Sequence, residues 1–204
     1  MVILGKSNSI ISFLPPEFIP VVIIIVSIIA LTIIIERSIF YWRMRTIAPD
    51  QLRTIKDLLR EGKWDEAKDF SDSLSKSPAS KVLQIGIEFK RRGSLYIEDE
   101  METEGYRQIF LLEKFLTGLG TIAIISPLLG VLGTVTGIIR SFSEGAGTKG
   151  AEVGISEALI TTAMGLSVSI PSYIFYNYLV RKKEEKITEM ENISNQALQI
   201  FENN

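Results

Sequence analysis

Three long apolar stretches alternate with segments in which hydrophobic residues return at helical spacing. The first, Phe18 to Ile35 (FIPVVIIIVSIIALTIII), is broken only by Pro20, Ser27 and Thr32. The second runs from Phe115 to Phe142 and the third from Gly154 to Val180, with very few charges in either. A helix needs roughly 20 residues to cross the hydrocarbon core of a bilayer. Each stretch therefore predicts a membrane-spanning helix, the last two with length to spare for tilt or projection. Pro15, Pro16 and Pro20 fall before or within the first turn of the first span, where a missing N–H costs least. That span is too long for the apolar region of a signal peptide, and Glu36-Arg37 follows it where a small-residue cleavage site would stand. Between the second and third spans, Ser143 to Val153 (SEGAGTKGAEV) is rich in glycine, which reverses the chain at little steric cost. These two spans form a helical hairpin.

The polar segments are also helical in pattern. Pro49-Asp50 marks a helix start, followed by Leu52, Ile55, Leu58 and Leu59 at helical spacing. Glu61-Gly62-Lys63 breaks it; Trp64, Ala67, Phe70 and Leu74 form a second amphipathic stretch, and Pro78 opens a third. Ser94 is placed to cap a long helix that passes through the acidic stretch Glu98 to Glu104 and continues into the second span. Beyond the third span, Ile187, Met190, Ile193, Ala197 and Ile200 keep a helical period. One helix from Val153 to Phe201 would measure about 75 Å, so its second half must leave the bilayer.

Basic flanks set the orientation. Arg37, Arg43 and Arg45 follow the first span and Arg181, Lys182 and Lys183 the third, whereas the tail before the first carries only Lys6 and the turn only Lys149. The positive-inside rule then puts the N-terminus and the turn outside, the C-terminus inside. The predicted layout is a periplasmic tail 1–17, spans at 18–42, 109–142 and 154–180, a cytoplasmic helical region 43–108, a periplasmic turn 143–153 and a cytoplasmic C-terminal helix 181–204. This is an all-α integral membrane protein, N-out and C-in, whose long helices extend into a cytoplasmic helical domain.

Composition removes whole classes of chemistry. The 204 residues hold no cysteine and no histidine, which excludes disulfides, Cys/His zinc sites and every nucleophile activated by histidine. With 22 Lys+Arg against 24 Asp+Glu, no basic bulk invites nucleic acid. Gly145 to Gly150 (GAGTKG) superficially resembles a phosphate loop but lacks GK[ST] and a preceding strand. Neither an enzyme nor a cofactor is predicted.

What distinguishes the spans is their polar and small residues. Ser126, Gly130, Gly133, Gly137 and Ser141 fall within about 80° of one another on a helical wheel. Such a stripe lets another helix approach closely, either within the chain or from a neighbouring copy. In the third span Gly154, Glu157, Ala158, Thr161, Thr162, Gly165, Ser169 and Ser172 share an arc of about 140°. Glu157 is the one carboxylate well inside either hairpin helix, and an ionisable residue at membrane depth is a functional candidate by default. Arg140 is placed either to snorkel to the headgroups or to pair with Glu157 as a buried clasp. Copies assembled in a ring with these faces inward would enclose a pore of hydroxyls and carboxylates that suits cations. Hydroxyls do not hold a proton near neutral pH, so a proton path would need a second titratable station from a partner. A passive scaffold, whose seam only packs helices, is the competing reading.

At these residues the chain resembles the MotA/TolQ/ExbB proton-channel family: SPLLGVLGTVTGIIRSF (Ser126 to Phe142) and GISEALITTAMGLSVSIPSYIFYNYL (Gly154 to Leu179). Ser126 and Met164 stand where alanine is common in the family. The resemblance implies a homopentamer in the inner membrane around the helices of an ExbD/TolR-like dimer, which supplies a protonatable Asp. It also implies that proton-motive force is converted into work on a TonB- or TolA-like periplasmic effector. By the same resemblance Thr134 and Thr162 line the channel with Glu157 nearby, and Thr161 stands in the same pair. The flagellar-stator branch has four spans; three favour ExbB/TolQ.

Overall fold

The computed structural model describes residues 17–143 and 149–203, all helices and short connections. The N-terminal tail before Glu17 and the centre of the predicted turn lie outside the described residues. The helices are α1 (Phe18–Arg43), α2 (Pro49–Arg60), α3 (Trp64–Ser73), α4 (Pro78–Arg91), α5 (Ile97–Glu113), α6 (Leu116–Ser143) and α7 (Lys149–Asn203). Among the described residues, three segments are long and apolar enough to cross a membrane, carried by α1, by the stretch ending at Ser143, and by α7.

The chain forms two compact units. One comprises the part up to Glu36 together with Phe115–Asn177; the other comprises Arg37–Lys114 and Tyr178–Asn204. In the first, α1 buries Ile19, Ile23, Ala30 and Ile34, spaced by four or seven, and leaves Ile24, Ile25, Ile28 and Leu31 exposed. One helical face packs inward while the other is fit for lipid, where a helix satisfies its backbone internally.

In the second unit, α2, α3 and α4 fold against the end of α7 and against α5. Ile55, Leu59, Leu83, Ile87, Met101 and Ile193 share one core. Pro49 and Pro78 open their helices as predicted. The break after α2 is made by Gly62 at φ 71°, a conformation glycine adopts without a side-chain clash. The α7 register is held by Glu189, whose carboxylate accepts from the Ile47 N–H at 2.8 Å and from Lys186 Nζ at 3.0 Å. Lys183 bonds Glu113 at 3.0 Å. Burial alone would lower its pKa, yet the Glu184 and Glu113 carboxylates raise it above the ordinary lysine value.

Two boundaries differ from expectation. α7 begins at Lys149, inside the stretch read as a turn, because residues from Lys149 to Val153 continue the helix. The long helix expected from Ser94 into the second span is instead two: α5 starts at Ile97, and the chain breaks at Lys114–Phe115, with Phe115 at φ 66°. A physical reason lies in α1. Arg37 Nη1 donates to the Leu111 carbonyl at 3.0 Å and Tyr41 OH to the Leu112 carbonyl at 2.8 Å. In a continuous helix these carbonyls would accept from residues four further on. Side chains of α1 take that role, and the buried Arg37 also lies over the Phe40 ring at 4.3 Å. Tyr41→Phe is expected to leave the Leu112 carbonyl buried without that partner and to cost about 1–3 kcal/mol. A melting curve of the purified protein checks this; an unchanged midpoint would show that the bond contributes nothing.

Candidate functional site

The site is built on the contact between α6 and α7, where four glycines remove the side chains that would hold the backbones apart. A Cβ on Gly165 would lie 2.5 Å from the Ser126 carbonyl oxygen and 3.1 Å from Gly130 Cα. On Gly130 it would lie 3.0 Å from Thr162 Cα, and on Gly137 2.7 Å from Ala158 Cβ. Gly133 faces the Thr161 side chain. The small-residue stripe is therefore occupied by α7 of the same chain. Ser126 is fully buried in it, and Ser169 Oγ crosses the seam to donate to the Ala123 carbonyl at 2.6 Å.

On one flank of this seam stand Thr134 and Thr162. Their hydroxyls are within bonding reach of each other and each lies 3.0 Å from the Gly130 carbonyl oxygen, so with one proton apiece one donates to the carbonyl while the other can bond its neighbour. The pair is half-buried, with exposed Leu159 and Leu166 on the same side of α7. Two hydroxyls in contact can hand a hydrogen bond to a third partner such as water, but neither stores a proton near neutral pH.

The opposite flank carries the ionisable groups. A cavity of about 400 Å³ is lined by Glu17, Pro20, Thr136, Arg140, Glu157 and Thr161, among others. Glu157 is exposed; Thr161 is buried, with its hydroxyl donated to the Glu157 carbonyl at 3.0 Å. Arg140 and Glu157 line the same cavity. Glu157 and Thr162, five residues apart, differ by about 140° around the helix. Residues that the wheel grouped as one face thus divide across the seam, Thr134 with Thr162 and Glu157 with Thr161 and Arg140. Thr136 and the start of α1 were missed. Thr136 lies off the glycine stripe, and nothing in the sequence places Glu17 beside it.

Residues 74–192 match the MotA/TolQ/ExbB proton channel family. Tol-Pal system protein TolQ of Haemophilus influenzae is 33% identical over 184 residues, covering 80% of this chain and 78% of that protein. Biopolymer transport protein ExbB of Salmonella typhimurium is 30% identical over 181 residues, 78% of this chain and 70% of its own length. ExbB of Aquifex aeolicus is 43% identical over a shorter 101 residues, 45% of this chain and 68% of that protein. The match contains α6 and the apolar part of α7, and with them both threonines and Glu157. With three helices able to span a bilayer and this degree of similarity, the chain is a multi-pass membrane protein that belongs to the MotA/TolQ/ExbB proton channel family, in its ExbB/TolQ branch.

Proposed function

We propose that this chain is the channel-forming subunit of an inner-membrane, proton-driven motor. In this reading several copies, five by family resemblance, form a ring with the N-terminus outside and the C-terminus inside. A dimer of a single-span, ExbD/TolR-like protein stands in the lumen and brings the Asp that takes up the proton. Work passes to a TonB- or TolA-like periplasmic effector, for transport across or integrity of the outer membrane. Thr134 and Thr162 line the lumen and order water there. Glu157 and Thr161, on the other flank, form a second station in the cavity that Arg140 also lines.

One observation carries this reading: the Thr134–Thr162 pair is built from two helices, and both residues fall in the stretch that matches the family. A hydroxyl pair at membrane depth is unnecessary for spanning. A second reading, a passive scaffold, is favoured by the hydroxyls that bond back to their own helix, such as Thr161 to Glu157 and Ser172 to the Val168 carbonyl at 2.7 Å.

Reconstitution separates the two. The subunit co-purified with its single-span partner is expected to carry protons into liposomes, and Glu157→Gln is expected to lower that flux at equal incorporation. Equal flux from Glu157→Gln and the parent protein would remove Glu157 from the path. No flux from any preparation that holds both proteins would favour the scaffold.

A further inference from the structure

In the unit that contains α2 to α5, a small polar cavity of about 190 Å³ lies between the connection after α1 and the connection before α4. Its lining supplies two cations, Arg45 and Lys76, and four hydroxyls, from Thr46, Ser73, Ser75 and Ser77. Among the described residues that line it, none is acidic. The two connections are tied together by the Arg45 N–H, which donates to the Lys76 carbonyl at 3.4 Å. Lys186 Nζ bonds Thr46 Oγ1 at 2.6 Å but is itself paired with Glu189 at 3.0 Å, whose carboxylate accepts from the Ile47 N–H, so Arg45 and Lys76 are the cations the cavity has to offer.

Ser77 is the informative residue. It occupies the position that caps the 14-residue helix α4, is 1% exposed, and is one of the residues that line the cavity. A serine there ordinarily bonds a first-turn N–H. Here its hydroxyl makes no such bond and has no hydrogen-bond partner at all. Its backbone N–H is already committed to the Leu74 carbonyl at 2.9 Å. At the start of α2 the Ala48 N–H donates to Gln51 Oε1 at 2.9 Å. At the start of α4 the buried Ser77 hydroxyl has no partner, at the edge of a cavity that two cations line.

We infer that this cavity is a binding site for a phosphate-class oxyanion, held by Arg45 and Lys76, with Ser77 and the α4 N-terminus beneath it. Such a helix start presents N–H groups and the positive end of the helix dipole to an anion. The cavity is several times the ~30 Å³ that one water occupies in the liquid, so a single water does not fill it. The same chemistry belongs to free phosphate and to the phosphodiester of a lipid headgroup. This inference does not depend on proton conduction, and its test reads binding alone.

The test uses the full-length protein, purified in detergent and also placed in nanodiscs of phosphatidylglycerol or of phosphatidylcholine. Equilibrium dialysis against radiolabelled inorganic phosphate is expected to show saturable binding, weakened at least about fivefold by Ser77→Ala and further by Arg45→Gln with Lys76→Gln. If phosphate does not bind but phosphorus NMR shows a headgroup population immobilised in phosphatidylglycerol nanodiscs and lost in the variants, the site holds and its source is the lipid. Absence of a saturable component in both arms would overturn the inference, as would variants that bind like the parent. Stability offers an independent reading, because Ser77→Ala removes an unpaired hydroxyl and is expected to melt no lower than the parent without phosphate. A clear fall in melting temperature there would mean that the hydroxyl serves the fold, and would also overturn the site.

Discussion

Gly165→Val is expected to separate the α6–α7 hairpin. At this position the first added carbon would meet backbone, the Ser126 carbonyl oxygen at 2.5 Å and Gly130 Cα at 3.1 Å. Backbone in the middle of a helix cannot rotate aside as a side chain can. Added carbons in a well-packed interior cost about 1–3 kcal/mol even where the surroundings yield, and here the helices must move apart. Such a shift would also break the Thr162 bond to the Gly130 carbonyl and the Ser169 bond to the Ala123 carbonyl. The expected result is a large fall in melting temperature in detergent and loss of any assembly that depends on the hairpin. Gly118→Ala is the control, because nothing lies within 4 Å of a Cβ there. On helix propensity alone that change is expected to be neutral or to stabilise by up to about 1 kcal/mol. If both variants melt alike, close packing at Gly165 is not what holds these helices.

Thr162→Val is expected to leave the fold in place and to remove most of the proton flux. Valine keeps the branched shape but loses the hydroxyl, so the Gly130 carbonyl loses the donor on Thr162 and the Thr134 hydroxyl loses its partner while the helix spacing survives. One lost hydrogen bond in a barrier, about 1.4 kcal/mol, lowers a rate about tenfold. Thr162→Ser, which retains the hydroxyl, is expected to conduct. Thr134→Val should fall with Thr162→Val, and the double variant should lose little more, because the two residues act as a pair. Flux into liposomes at equal incorporation checks all four. Undiminished flux through Thr162→Val would exclude the hydroxyl pair from the conducting path.

Much of the fold was legible because membrane helices and proline starts leave strong marks. Pro49, Gly62 and Pro78 punctuate the chain where α2 and α4 begin and α2 ends. The break at Phe115 was not legible: a bulky residue at positive φ carries no local signal, since glycine is the usual occupant of that conformation. The side chains that meet the carbonyls beside it, Arg37 and Tyr41, come from more than 70 residues away. The division of the polar residues of α7 was hidden for a different reason. A helical wheel shows which residues are near in angle, but not where the neighbouring helix lies along the arc. Gly165 and Ala158 put the contact in the middle, and that alone assigns Thr162 and Glu157 to opposite sides.

The end of α5, closed from α1, has a bearing on how this part of the chain can vary. A terminus finished by its own capping residue can slide by a position and re-form. Leu111 and Leu112 instead must present their oxygens in the direction of Arg37 and Tyr41. One residue inserted in α5 after the buried Met101 would swing both acceptors by about 100°. Substitutions on the solvent side of this segment leave the join intact, whereas a change of length would undo it. The count of residues, more than their identity, is what the join constrains.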